Sequence, residues 1–199
     1  MVAITTQGQF RPFSSQAVEL PSESASYVAL TPLGGAAASL EITSNVPVTA
    51  AVLVPGSGVG AFTAATAPVS EQAVVAGNTD SSGLAASVVL SAPAGAARVR
   101  LTEIAEAAGS GAAGTAARAS QVSSVPAGRT VVVPVKAPSG AKSGSPFAIV
   151  ITPLSGSGPL YAARVETHGQ TVVSIIPAVS ALTTISLAPV RDSYDAISP

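Results

Sequence analysis

The sequence predicts an all-β protein made of two antiparallel β-sandwich modules in tandem, immunoglobulin-like or related. Three observations carry that prediction. Short apolar or alternating runs recur roughly every 8–15 residues with turn residues between them, the spacing of sandwiches and barrels. Proline falls at the ends of those runs, where a missing N–H costs least. The apolar residues are mostly Ala and Val, with four Phe, three Tyr and no Trp, which suits thin sheets of β-branched and small side chains.

Bulk composition sets the frame. The chain has 199 residues, and a seven-strand sandwich needs roughly 100, so two modules fit. Hydrophobic residues make up 47% and charged residues 10%, against about 25% charged in an average globular chain. A disordered chain shows the opposite balance. Eighteen Gly and 16 Pro break the chain too often for long helices.

Taken in order, the first half predicts strands at Ala17–Leu20, Ser26–Thr31, Ala38–Thr43, Val48–Val54, Ala61–Thr66 and Gln72–Ala76. The second half predicts Ala85–Ser91, Arg98–Ile104, Arg118–Ser123, Thr130–Lys136, Phe147–Thr152, Leu160–Glu166, Thr171–Ile176 and Thr183–Leu187. Within Arg98–Ile104, Val99, Leu101 and Glu103 share one face, and the acid in that apolar set predicts a bulge or strand end. Pro134 lies inside a strand pattern and marks an edge strand or a bulge. Phe147–Ile151 is continuously apolar, as for a central strand covered on both sides.

An internal repeat organises these runs. Ser14-Ser15 opens one copy and Ser123-Ser124 another. Ser26–Pro32 corresponds to Thr130–Val135, Ser39–Thr43 to Ala148–Thr152, Pro47–Val52 to Pro159–Val165, and Gln72–Ala76 to Thr183–Leu187. The expected organisation is a first module over 1–77, incomplete at its N-terminal side unless Met1–Thr6 supplies a strand, a second module over 78–189, and a polar tail over 190–199. The Ala/Gly-rich stretch Ala105–Ala117 reads as a hairpin loop.

Charge and cysteine content exclude several classes. The formal net charge is −1 and there is no Lys/Arg run, so no nucleic-acid partner is expected. No run of 18 apolar residues is free of breaks, so no membrane insertion is expected from this segment. The absence of cysteine rules out disulfides and thiolate metal sites.

Residues with chemical potential are few. The one histidine, His168, sits in a turn, Glu166-Thr167-His168-Gly169-Gln170, and reads as an exposed turn residue rather than a base or ligand. A serine hydrolase using it would need a nucleophile elbow, but Gly156-Ser157-Gly158 runs into Pro159 as a turn. Gly109–Gly114 matches G-x-G-x-x-G without the strand, helix and acid a dinucleotide site requires. The ten acids are scattered and expected on solvent faces. Asn78-Thr79-Asp80, like Asp192 and Asp195, falls short of a calcium loop and reads as turn and cap residues. Tyr27, Phe147 and Tyr161 are expected in the core, while Phe10, Phe13 and Tyr194 are terminal. The sequence therefore predicts a non-enzyme with no catalytic, cofactor-binding or metal-binding residue.

Val125–Arg129, Ile151-Thr152-Pro153-Leu154-Ser155-Gly156-Ser157-Gly158-Pro159-Leu160-Tyr161-Ala162-Ala163-Arg164 and Pro189-Val190-Arg191 resemble the C-terminal part of a family of actinobacterial secreted or membrane-anchored proteins of unknown function. Val46–Val52 resembles it more loosely. The resemblance implies an extracellular or cell-envelope location, a longer native protein with an export or anchor segment, and association with cell-envelope glycan assembly. It brings no catalytic residues. Arg164, the charged residue of the motif, is expected to pair with Glu166 or an acid on a neighbouring strand.

The function expected is a non-catalytic structural or interaction module of the cell envelope with a protein or cell-wall glycan partner. A carbohydrate-binding sandwich is the alternative, a viral or surface-appendage structural protein the next.

Overall fold

The structure is a computed structural model that describes residues 1–12, 17–30, 37–55, 60–79, 83–108 and 116–181. Every regular element among them is a β-strand, and every pairing is antiparallel. The N-terminal strands are β1 (Val2–Thr5), β2 (Gln9–Phe10), β3 (Ala38–Glu41), β4 (Ala51–Val54) and β5 (Ala61–Ala64). Then follow β6 (Ala73–Asn78), β7 (Leu84–Ala92), β8 (Ala97–Glu106), β9 (Ala116–Val125) and β10 (Arg129–Val135). The last are β11 (Phe147–Pro153), β12 (Tyr161–His168), β13 (Thr171–Pro177) and β14 (Val179–Ser180).

Two sheets form the sandwich. One has the order β10-β7-β12-β13, the other β14-β6-β11-β8-β9. The interior between them follows from period-two alternation. Val88, Leu90 and Ala92 point inward from β7, and Val99, Leu101 and Ala105 from β8. Phe147, Ile149 and Ile151 do the same from β11. Leu90, Leu101, Ile149, Ile151 and Leu160 are fully buried, each stabilising the fold by roughly 1.5–3 kcal/mol.

The strands β7 to β13 match the sequence reading closely, with two differences in detail. β8 runs through Glu103 to Glu106 in unbroken register with both neighbours, so no bulge relieves the acid at 103. Its inward position is kept because Gln121 supplies a donor there. β11 is central between β6 and β8 as expected, but Ala148 and Val150 on its outward side are only half-buried. Pro134 sits on an edge strand, β10, as its missing N–H requires.

The N-terminal half departs further. Residues 17–30 contain no strand, which corrects the expected strand at Ala17–Leu20 and all but the last position of Ser26–Thr31. Tyr27, expected in the core, is 81% exposed. Val2–Thr5 supplies a strand instead, pairing with β2 and β3 in a small three-stranded sheet. The segments matched in the internal repeat have unlike settings: Ser26–Leu30 is not a strand while its counterpart is β10, and β3 pairs with β1 alone while β11 is central in five strands. Similar apolar spacing arises wherever strands of this length alternate, so the pattern did not require equivalent folds. Strand β6 spans the expected junction at 77/78 and lies in the five-stranded sheet. Ser14-Ser15, Pro32, Gly109–Gly114, Thr183–Leu187, Asp80, Phe13 and the 190–199 tail lie outside the described residues.

Candidate functional site

The polar groups fall into four places: two inside the sandwich and one on each outer face. The first interior group centres on Arg164, which points inward from β12 and is 3% exposed. Its Nη1 donates to Asn78 Oδ1 at 3.2 Å and lies 3.0 Å from Glu166 Oε1, and its Nη2 donates to Ser174 Oγ at 3.1 Å. The pairing with Glu166 is the one anticipated. Arg164 Nε is buried without a partner.

Asn78 was expected as a turn residue and is instead fully buried. The reason is a β-bulge. Phe147 opposes Asn78 and Ile149 opposes Val75, so Ala76 and Gly77 together face Ala148. Gly77 has φ +72°, a conformation that a side chain would strain. The bulge breaks the ladder, and Asn78 Nδ2 takes up the loose acceptors, Val75 O and Phe147 O, both at 2.9 Å. Arg164 then ties that repaired bulge to the opposite sheet.

The second interior group is Glu103, 4% exposed and so not on a solvent face. Gln121 Nε2 donates to Glu103 Oε1 at 3.0 Å and to the Pro134 carbonyl at 3.4 Å. It thereby joins the edge strands of the two sheets.

The outer face of the four-stranded sheet is covered at one end by the chain's own N-terminal sheet. Thr130 Oγ1 donates to Ile4 O at 2.7 Å, and Ser39 Oγ donates to Ser91 Oγ at 2.6 Å. Arg129 Nη1 reaches Thr6 O and Gln9 Nε2 reaches Pro93 O. Ala3, Ile4, Ser91 and Thr130 are all buried by this contact. On the β4–β5 hairpin, Leu53 and Phe62 oppose each other and both are exposed.

Among the described residues, no element covers the outer face of the five-stranded sheet on its β8–β9 side. β8 presents Arg98, Arg100, Thr102, Ile104 and Glu106 to it. β9 opposes them with Ser124, Val122, Ser120, Arg118 and Ala116. Thr102 Oγ1 and Ser120 Oγ share a hydrogen bond of 2.9 Å. Glu106 is held by Lys142 Nζ and by Ser145 Oγ, both at 3.4 Å. Near the bulge, Ile104, Ala105, Glu106, Phe147 and Ala148 line a shallow, mostly apolar depression of about 460 Å³.

The sequence motif around Ser157 receives a structural account. Ser157 Oγ accepts from Arg98 N at 3.0 Å and donates to Arg98 O at 2.9 Å, extending the ladder at the start of β8 by a side chain. A Cβ at Gly158 would lie 2.9 Å from Gly95 backbone atoms, so the two turns approach as only glycine allows. His168 ends β12 at an exposed hairpin tip with its ring beside Gly83. Among the described residues no group of three His, Cys, Asp or Glu is placed to hold a metal. Among the same residues no helix is long and apolar enough to cross a membrane.

The model of a family of unknown function, DUF5719, matches residues 2–138. The match spans the N-terminal sheet, the β4–β5 hairpin and the sandwich as far as β10, and stops short of the stretch 151–164 that carries the most specific sequence motif. No curated protein and no solved structure matches the chain.

Proposed function

The chain belongs to the DUF5719 family, a family of unknown function, and from that premise we propose that it is a non-catalytic structural or interaction module exported to the bacterial cell envelope. The observation that carries this reading is the contrast in use of polar groups. Arg164, Glu166, Asn78 and Ser174 are spent on each other in the interior, whereas the arginines of the five-stranded sheet are exposed on a face that no described element covers. That is the division expected of a scaffold presenting a surface. Low charge, abundant small residues and antiparallel sheets in a four-plus-five division support kinship with immunoglobulin-like envelope modules.

The test is co-sedimentation of the purified protein with isolated actinobacterial envelopes. Retention in the pellet above that of an unrelated sandwich protein is expected, and recovery in the supernatant overturns the reading. The two-part organisation belongs to the same proposal, with its junction moved from 77/78 to before Val69 because Val69 and β6 belong to the sandwich: limited proteolysis should cut before residue 69 and leave the sandwich as one resistant unit.

A carbohydrate-binding reading is favoured by one observation, the exposure of Tyr27 and of Phe62, the latter at 73%. Aromatic rings at the surface stack on sugar faces. Binding on a neutral glycan array, lost in Phe62→Ala or Tyr27→Ala, would select it over the first.

A further inference from the structure

We infer that the outer face of the five-stranded sheet, which no described element covers on its β8–β9 side, is a docking surface for a linear anionic polysaccharide, gripped by Arg98, Arg100 and Arg118. The inference rests on the interaction-module reading and names the chemistry of the partner.

The first ground is charge without compensation. Arg98, Arg100 and Arg118 are all exposed on this face. Among the described residues, none of the three guanidinium groups has a hydrogen bond or an ion pair. The one acid that β8 and β9 place on the face, Glu106, is already held by Lys142 and Ser145. A protein whose formal net charge is −1 thus keeps three cations without a described partner on a single sheet face, while the buried Arg164 engages Asn78, Glu166 and Ser174 through Nη1 and Nη2. Guanidinium groups bind carboxylate and phosphate through paired N–H donors.

The second ground is geometry. Arg98 and Arg100 are two residues apart on one strand, about 7 Å. Arg118 stands opposite Ile104, so the row from Arg98 to Arg118 runs about 20 Å along the strands. No bulge interrupts the row, because the register of β8 with β9 is unbroken over Ala97–Glu106. An extended polymer with charges at intervals fits such a row; a single small anion uses one arginine of it.

The third ground is what lies between the arginines. Thr102, Ser120, Ser124 and Thr152 put hydroxyls among them, and these match sugar hydroxyls. No aromatic residue stands on the β8–β9 part of the face, so it lacks the stacking platform that single-stranded nucleic acid uses. Its apolar side chains on β8 and β9, Ile104 and the exposed Val122, stand singly among arginines and hydroxyls and do not make the broad apolar face that anchors a protein in a bilayer.

The experiment uses the full chain and measures binding by biolayer interferometry. The probes are polygalacturonate for carboxylate and phosphomannan for phosphate, with dextran, poly-glutamate and oligo-dT as comparisons. Binding to at least one of the two charged polysaccharides is expected, weakening by about tenfold between low and 0.25 M salt as screening shortens the range of the charges. The Arg98→Gln/Arg100→Gln/Arg118→Gln variant should lose at least about tenfold, and Lys136→Gln, which removes a charge elsewhere, should lose nothing. If the triple variant does not fold, Arg100→Glu alone carries the same expectation. No binding to either charged polysaccharide, equal or tighter binding to poly-glutamate or oligo-dT, or undiminished binding in the variants overturns the inference. Its failure is separable from that of the module reading: envelope co-sedimentation that survives the triple variant leaves the module and removes this face from it.

Discussion

The two outer faces of the sandwich are made by strands of the same alternating type, yet the chain treats them differently. On the four-stranded sheet, β7 and β10 present Ser91 and Thr130, and the N-terminal sheet closes over them. Hydroxyls buried by that contact need partners, and they find them in Ile4 O and Ser39 Oγ. On the five-stranded sheet, β8 and β9 present arginines that nothing among the described residues covers. A face meant to be sealed by the chain itself carries small groups that can be fully satisfied in a dry contact. A face left in water can keep cations, because the solvent hydrates them until a ligand replaces it.

The comparison presupposes an interior that holds both sheets in register, and the largest effect is expected there. Arg164→Ala should destabilise the protein by about 3–5 kcal/mol, because Glu166 and Asn78 lose their partner in a dry site. Urea denaturation reads the loss. Arg164→Met with Glu166→Leu should recover much of it; if the double change is no better than Arg164→Ala, the charged pair is not what the single change exposed.

Next comes the turn that starts β8 and so sets the arginine row. Gly158→Ala should cost about 1–3 kcal/mol through overpacking against Gly95. An unchanged midpoint would show that the close approach is not required.

The two faces are then compared directly with one chemical change. Thr130→Val on the covered face should cost about 1–3 kcal/mol, since Ile4 O loses its buried donor. Thr102→Val on the open face breaks the bond to Ser120 where water can replace it, and should stay within about 0.5 kcal/mol. Equal losses would erase the distinction. The smallest effect on stability belongs to Arg98→Gln/Arg100→Gln/Arg118→Gln, which should leave the unfolding midpoint where it is.

Most of the sandwich was legible because its strands bury one side and alternate. β7 to β13 were found within about two residues at each end, the ordinary uncertainty of strand boundaries. The N-terminal sheet was poorly legible for a physical reason. Val2–Thr5 is short, so a strand from Met1–Thr6 was only an alternative in the sequence; it forms through pairing with β2 and with β3, more than 30 residues away, a long-range contact that local pattern does not encode. Ser26–Leu30 shows the converse, an apolar alternation that no neighbouring strand takes up. The interior polar groups were half legible. Adjacent placement on one strand face suggested Arg164 with Glu166. Asn78 was missed because its role depends on the bulge at Gly77, although Gly following a β-branched run was a signal for one. The arginine row was present in the alternation of Arg98 and Arg100, but Arg118 joins it only through the register of β8 with β9.

Pro134 has a consequence for how copies of this chain meet. Strand-by-strand growth into fibres needs an unbroken series of donors on both flanks of a sheet. The four-stranded sheet ends at β10, where proline withholds one donor, and at β13, beside which β5 lies. Sideways polymerisation through that sheet is therefore blocked at one border by chemistry and at the other by bulk. Copies crowded along one surface are thereby kept from joining through this sheet.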